Sequence, residues 1–456
     1  MIAEPLARDT LRPVLIGSMR IRLLLATCAL FLLAQPLASG WAVEETNRNH
    51  YVNSADPGAI DSGPGSRERP WKSLAAVNSH TFKPGDSVYF ARGSSYTGGV
   101  AIINSGVAGR PITLGAYGSG AAPRFSNPSY SVLNGNMIQI RGSWVIIDGL
   151  YFHDGVPAEP NAPKAAVRTI GAVFIAGTAT HVIVRNCEAT NSPVAVRSYG
   201  EYALITRNYF HDTVNQFLCS PYWGPVAIML MVSNQEVSYN RVEHYYIVGG
   251  HWGADGGAIE IDDQNPKKNI KIHHNKAYDT QGFLETDNGG PYTDITVAYN
   301  EADVSEKFIG MTNCTHWLVV NNTVIRGLQR PGYNDANWFN AGTSGTVWRN
   351  NIFVLANGLQ AFAHKFGARQ VHDHNLYFSV DRSTTDPIPG APGAGEKIAN
   401  PLFFNYAKRD YHLTARSPAR DAGIASGFVT DLDDKAVPVD RAPDMGAYEY
   451  ASASKR

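Results

Sequence analysis

One asparagine recurs through the middle of the chain inside short apolar strands: "HVIVRNCEA", "ALITRNYF", "QEVSYNRV", "IKIHHNKA", "ITVAYNEA", "LVVNNTVI", "VWRNNIF" and "VHDHNLYF". The aligned residues are Asn186, Asn208, Asn240, Asn275, Asn300, Asn322, Asn351 and Asn375, 22 to 35 residues apart, with Gly149 in the same slot of "WVIIDGLYF". Apolar residues flank the slot three before (Ile183, Ile205, Val237, Ile272) and two after (Phe210, Val242, Ala277, Ala302). A unit of strand, turn and strand at this variable spacing, without helical periodicity between units, is what a stacked β-solenoid requires. The asparagine then has a structural explanation, because its amide can bond its own turn and its equivalent in the next coil. Propellers compete poorly, since the units carry too few strands and lack a regular repeat of about 40 residues.

The repeat overrides the prior that 456 residues make several domains. Before it, "PWKSLAAVNSH" places Trp71, Leu74, Ala75 and Val77 at helix-like spacing, predicting a short amphipathic helix over the open end. Residues 382–400 are rich in Pro, Gly and Ala, and residues 401–450 form a C-terminal capping segment. The predicted organisation is residues 43–400 as solenoid with its N-terminal cap, then 401–450.

Residues 1–42 read as a signal peptide. Arg20 and Arg22 precede an apolar run from Leu23 to Ala34, followed by the small-residue zone Ala38 to Ala42, and Met19 is a candidate start. The run is too short to span a bilayer, so a secreted or periplasmic location is expected, with no membrane association after cleavage. A formal net charge of −1 from 39 basic and 40 acidic residues gives no general basic surface, which excludes nucleic acid as the expected partner. Cys28 leaves with the signal; Cys187, Cys219 and Cys314 permit at most one disulfide and are expected as packed apolar residues.

Four segments look like one strand in successive coils: "AIMLMV" (227–232), "AIEIDD" (258–263), "FLETDN" (283–288) and "FIGMTN" (308–313). In the middle two, Glu260, Asp262, Glu285 and Asp287 alternate with apolar residues, so all four share one face. Both acid pairs repeat at the spacing of Asn275 to Asn300, placing each acid over its partner. Stacked carboxylates repel, and must bind a cation, share protons or meet a basic group.

"YVNSADPGAIDSGPGSRERPWKSL", "KPGDSVYF", "GRPITLGAYG" and the closing "SPARDAG … PDMGAYEY" resemble secreted right-handed parallel β-helix proteins of the pectate-lyase-like superfamily. The resemblance implies an all-β, right-handed parallel β-helix and a polysaccharide or oligosaccharide partner. It leaves the reaction open, since lyases, hydrolases, epimerases and non-catalytic shafts share the fold. "AIEIDDQ … QGFLETDNGGPY" also resembles the catalytic stretch of β-helical β-xylosidases, where an Asp ending one strand is the nucleophile and a Glu on the next coil the acid/base. Carried over, this implies Asp262 and Glu285 in those roles in a retaining hydrolase, with no cofactor.

The alternative is a polysaccharide lyase. Asp255 and Asp263 would join the other acids around Ca²⁺, and Lys307, His251 or Lys276 would act as base. A carbohydrate-binding protein or shaft without catalysis is the third reading. Tyr222, Trp223, His251, Trp252 and Lys307 are candidate substrate contacts, the aromatic ones by stacking on sugar rings. His273 and His274 look like a metal pair but sit beside the asparagine turn, where a structural role is expected.

Overall fold

The computed structural model describes residues 48–155, 169–214, 224–248, 254–326, 338–339, 342–363, 369–385, 387–388 and 390–451. Among these, three long sheets of 12, 9 and 13 strands dominate, their strands parallel to the neighbours one coil above and below, except Ala254–Asp255, which pairs antiparallel with Arg241–Val248. The chain visits the sheets in rotation. Gly257–Ile261 lies in the nine-stranded sheet, Lys271–His273 in the twelve-stranded, Lys276–Thr280 in the thirteen-stranded, and Gly282–Thr286 returns directly over Gly257–Ile261.

Alternation along each short strand builds the interior. In the twelve-stranded sheet one inward column runs from Val88 through Leu114, Ile147, Val184 and Ile205 and on to Val319, each stacked on the next and fully buried. β-branched side chains stacked about 4.8 Å apart fill such a column with little loss of rotamer freedom.

The corner between the twelve- and thirteen-stranded sheets is where the asparagines act. Each buried Asn amide donates to the side-chain oxygen of the next: Asn208 to Asn240 (2.9 Å), Asn240 to Asn275 (3.0 Å), Asn275 to Asn300 (3.0 Å), and onward through Asn322 and Asn351 to Asn375. The ladder ends where Asn375 donates to Glu396 (2.9 Å). The residue before each rung is left-handed (Arg207 φ 56°, Tyr239 57°, His274 56°, Tyr299 51°). That conformation costs a non-glycine residue roughly 1 kcal/mol or more, and the amide bonds across the corner offset it.

The ladder starts one coil later than the sequence alignment places it. Val184, not Ile183, pairs with Ile205, so the inner slot of that coil belongs to Cys187, whose N–H donates to Asn208 (3.0 Å). Asn186 is the left-handed corner residue (φ 52°) and its side chain donates outward to Asp148 (2.8 Å). Gly149, with φ 73°, occupies the same outer position one coil earlier. Cys187 and Cys314 are free, buried thiols; Cys219 lies outside the described residues.

The capping helix spans Leu74–Ser79, with the Ser73 hydroxyl accepting from Ala75 N–H at its start (3.2 Å). Its inward face is Leu74, Ala76 and Val77. Ala75, expected on that face, is exposed, because the helix begins three residues after Trp71 and Trp71 stands in an extended bridge to Val52. The segment 401–450 reaches beyond the last coil. It doubles back along the flank, where Asn350 bonds Ile424 O, Asn321 bonds Asp444 O, His274 meets Thr430 O and Tyr239 bonds Asp434. His274 is packed among Tyr239, Tyr299 and Phe428, and burial draws its pKa down to about 4, fitting the structural role expected for the His273–His274 pair. No helix among the described residues is long and apolar enough to cross a membrane.

Candidate active site

The nine-stranded sheet carries the acids. Its outward column reads Arg197, Met229, Glu260, Glu285 and Gly310, each the register partner of the next. Asp262 and Asp287 extend the two central strands by one step, their N–H groups donating to Leu230 O and Ile261 O (both 3.1 Å). Adjacent rungs lie about 4.8 Å apart, so Glu260 and Glu285 face each other across one rung while Asp262 and Glu285 are diagonal neighbours. All four acids are partly exposed.

On one side the column is closed by a buried cation. Arg197 is 1% exposed and its Nε donates to Ile170 O (2.7 Å). Burial lowers its pKa, against which Tyr199, Asp262 and Glu260 hold the guanidinium charged. The intervening rung is apolar: Met229 and Met231 pack with Ile170, Val194 and Val226 on the outer face. Sequence reasoning passed over Arg197, although it stands two rungs before Glu260 in the same alternation.

On the other side Lys307 Nζ sits 3.2 Å from Glu285 Oε2 and 3.4 Å from Glu306 Oε2, with its side chain 9% exposed. The absence of a side chain at 310 lets it lie there, since a Cβ on Gly310 would stand 3.1 Å from Lys307 Cδ and 3.7 Å from Glu285 Cγ.

Asp287 is differently employed. Its carboxylate accepts from Gln264 N–H (2.6 Å), Gly289 N–H (2.9 Å) and the Tyr292 hydroxyl; burial and this carboxylate together raise the Tyr292 pKa. Asp287 therefore fixes the turn after its strand. Asp263 adopts a left-handed turn (φ 85°) and accepts from the Asn265 amide (3.2 Å). Lys276 belongs to the thirteen-stranded sheet, over the Tyr448 ring. Tyr222, Trp223, His251, Trp252 and the side chain of Asp255 lie outside the described residues. The structure thus gathers Glu260, Asp262, Glu285 and Lys307, adds Arg197, and ties Asp287 into a turn.

No family model and no curated protein matches the chain. Solved structures do. The pectate lyase Pel9A aligns with a TM-score of 0.61 at 16% identity, over 89% of this chain and 97% of that one. XylC in complex with xylose aligns with a TM-score of 0.53 at 12% identity, over 88% and 98%. A rhamnogalacturonan lyase aligns with 0.51 at 13%, over 79% and 92%. Parallel sheets in rotation, the scarcity of helix among the described residues and these likenesses establish the architecture: the protein is a right-handed parallel β-helix of the pectate-lyase-like fold.

Proposed function

We propose that the protein is an exported carbohydrate-active enzyme that hydrolyses a glycosidic bond, with Asp262 as nucleophile and Glu285 as acid/base. The observation that carries this reading is the pair of acidic rungs in one outward column, bracketed by buried Arg197 and by Lys307. A nucleophilic carboxylate must stay ionised, and a guanidinium closed off from water favours that charge strongly. Glu285 would protonate the departing glycosidic oxygen as Asp262 bonds the anomeric carbon. Glu285 would then take a proton from the water that hydrolyses the glycosyl ester. Lys307 would steady the Glu285 carboxylate between those transfers, and Glu260 would meet a sugar hydroxyl. A stacked outward column that repeats coil after coil suits a polysaccharide or oligosaccharide, and the leader-like pattern of residues 20–42 supports export.

The calcium-dependent lyase reading fits less well. Ca²⁺ needs six to eight oxygens, whereas Asp287 is committed to three donors and Asp263 to its own turn. A lyase base must be neutral, while Lys307 stands between two carboxylates that favour its ammonium form. Non-catalytic carbohydrate binding does not call for a buried cation behind the acids.

Digestion of a glycan panel with product mass and anomer analysis tests the proposal. Products carrying one added water, with anomeric configuration retained, and loss of turnover in Asp262→Asn and Glu285→Gln are expected. Unsaturated products one water lighter, or wild-type turnover in both variants, would overturn it.

A further inference from the structure

The inward column that is aliphatic from Val88 onward begins with a histidine. His50, in the first strand Asn49–Val52, is the register partner of Val88 and is 6% exposed. At the far end of the column His372 stacks on Trp348 and pairs with Glu396 (3.0 Å). His50 has no carboxylate of this kind: its ring nitrogens are buried, and among the described residues the one polar group of the backbone that approaches them is the Pro64 carbonyl, short of good hydrogen-bond geometry. A buried imidazole nitrogen left unsatisfied costs on the order of 1–3 kcal/mol, so its place in the core calls for a reason beyond packing.

Its surroundings supply one. The ring stacks on Trp71 (4.8 Å, 7°) and tilts against His80 (4.3 Å), the residue that caps the C-terminus of the helix Leu74–Ser79. Asp86, 3% exposed, closes the third side. Its oxygens accept from Arg48 N–H (3.3 Å) and Lys83 N–H (2.8 Å), which leaves each a further lone pair. One ligand atom from each of His50, His80 and Asp86 lies within 4.8 Å of the others. Ligand atoms around tetrahedral zinc stand roughly 3.3 Å apart at bond lengths of about 2.0–2.1 Å, a contraction within reach of side-chain rotation.

We infer that His50, His80 and Asp86 form a three-ligand site for a zinc-class divalent cation that pins the first strand, the capping helix and the second rung together. Two imidazoles and a carboxylate suit a borderline cation better than calcium or magnesium, which prefer all-oxygen shells. The helix packs beside the strand Val100–Ile102, five rungs, or roughly 24 Å, from Gly257–Ile261, so the ion would act on stability and not on the acids.

The test is titration of chelator-treated, purified protein with Zn²⁺ by calorimetry, with thermal unfolding in parallel. One site with a Kd on the order of micromolar or tighter is expected, together with a rise of several degrees in the unfolding midpoint. His80→Ala and Asp86→Asn, which spare the buried ring, should each weaken binding at least tenfold and abolish that rise. Co²⁺ should develop intense visible bands in the wild type and not in His80→Ala. No saturable Zn²⁺ binding, or equal affinity in both variants, would overturn the inference.

Discussion

Glu260 and Glu285 are register partners on adjacent parallel rungs, a placement that brings two carboxylates within about one rung spacing of each other. Two unit charges at that distance repel by several kcal/mol at an effective dielectric near 20. Arg197 on one side and Lys307 on the other answer the repulsion. Asp262→Asn and Glu285→Gln should each lower kcat at least about a thousandfold on the true substrate while leaving the unfolding midpoint within a few degrees. Activated substrates with good leaving groups should suffer less in Glu285→Gln, because they need no proton. Equal losses on activated and natural substrates would contradict the role given to Glu285.

Arg197→Met removes the guanidinium behind Asp262 and Glu260. Without that positive charge the nearby carboxylates hold protons more tightly, so the acidic limb of the kcat/KM profile should move to higher pH, with a loss on the order of a hundredfold at its optimum. A uniform loss with an unmoved acidic limb would show that Arg197 only fills space.

Lys307→Met distinguishes the two chemistries. In a hydrolase Lys307 only holds the Glu285 carboxylate in place, so the variant should stay active with a loss of about 10- to 100-fold. If Lys307 were the base of a lyase, the variant would be inactive at every pH. Gly310→Ala crowds the same lysine and should reproduce part of the effect without loss of fold.

The asparagine corner yields a paired stability prediction. Asn300 donates to Asn322 and Ile272 O and accepts from the backbone and side chain of Asn275, all in the buried interior. Asn300→Ala strands several buried groups and should cost roughly 3 kcal/mol or more. Asn186→Ala, outside the ladder, loses only an exposed hydrogen bond and the preference of Asn for the left-handed corner, and should cost about 1 kcal/mol. Equal costs in chemical denaturation would refute the register described here.

The C-terminal strap should loosen as pH rises. Burial lifts the pKa of Asp444 to about 6 and, with Asp444 beside it, that of Glu449 to about 7; burial also raises Asp431. The folded strap keeps protons that the unfolded chain releases from about pH 4. Stability from these groups is therefore full below that point and is lost as pH climbs through about 7. Amide exchange in residues 431–450 should accelerate, relative to the central coils and after correction for intrinsic rates, between pH 4 and 8. An unchanged ratio would rule out the effect.

The register of Asn208 through Asn375 and the facing of Glu260 over Glu285 were legible in the sequence, because a solenoid turns a chain interval into a stacking relation and period two then fixes which side chains leave the core. Asn186 was misassigned because an Asn also suits the left-handed corner beside the slot, and only strand pairing tells the two positions apart. Arg197 was hidden because its strand "VRS" reads as an ordinary alternation, and its near-complete burial comes from Tyr199 and the apolar rung packed over it. Asp287 reads as the twin of Asp262 in sequence, yet the turn at Gln264 and Gly289 claims its oxygens. His50, His80 and Asp86 share no motif and meet only when the cap folds onto the first rung. Spacing along the chain decided what stacks on what; which charges are buried, and which acids remain available on the outward face, depended on packing from distant coils and turns.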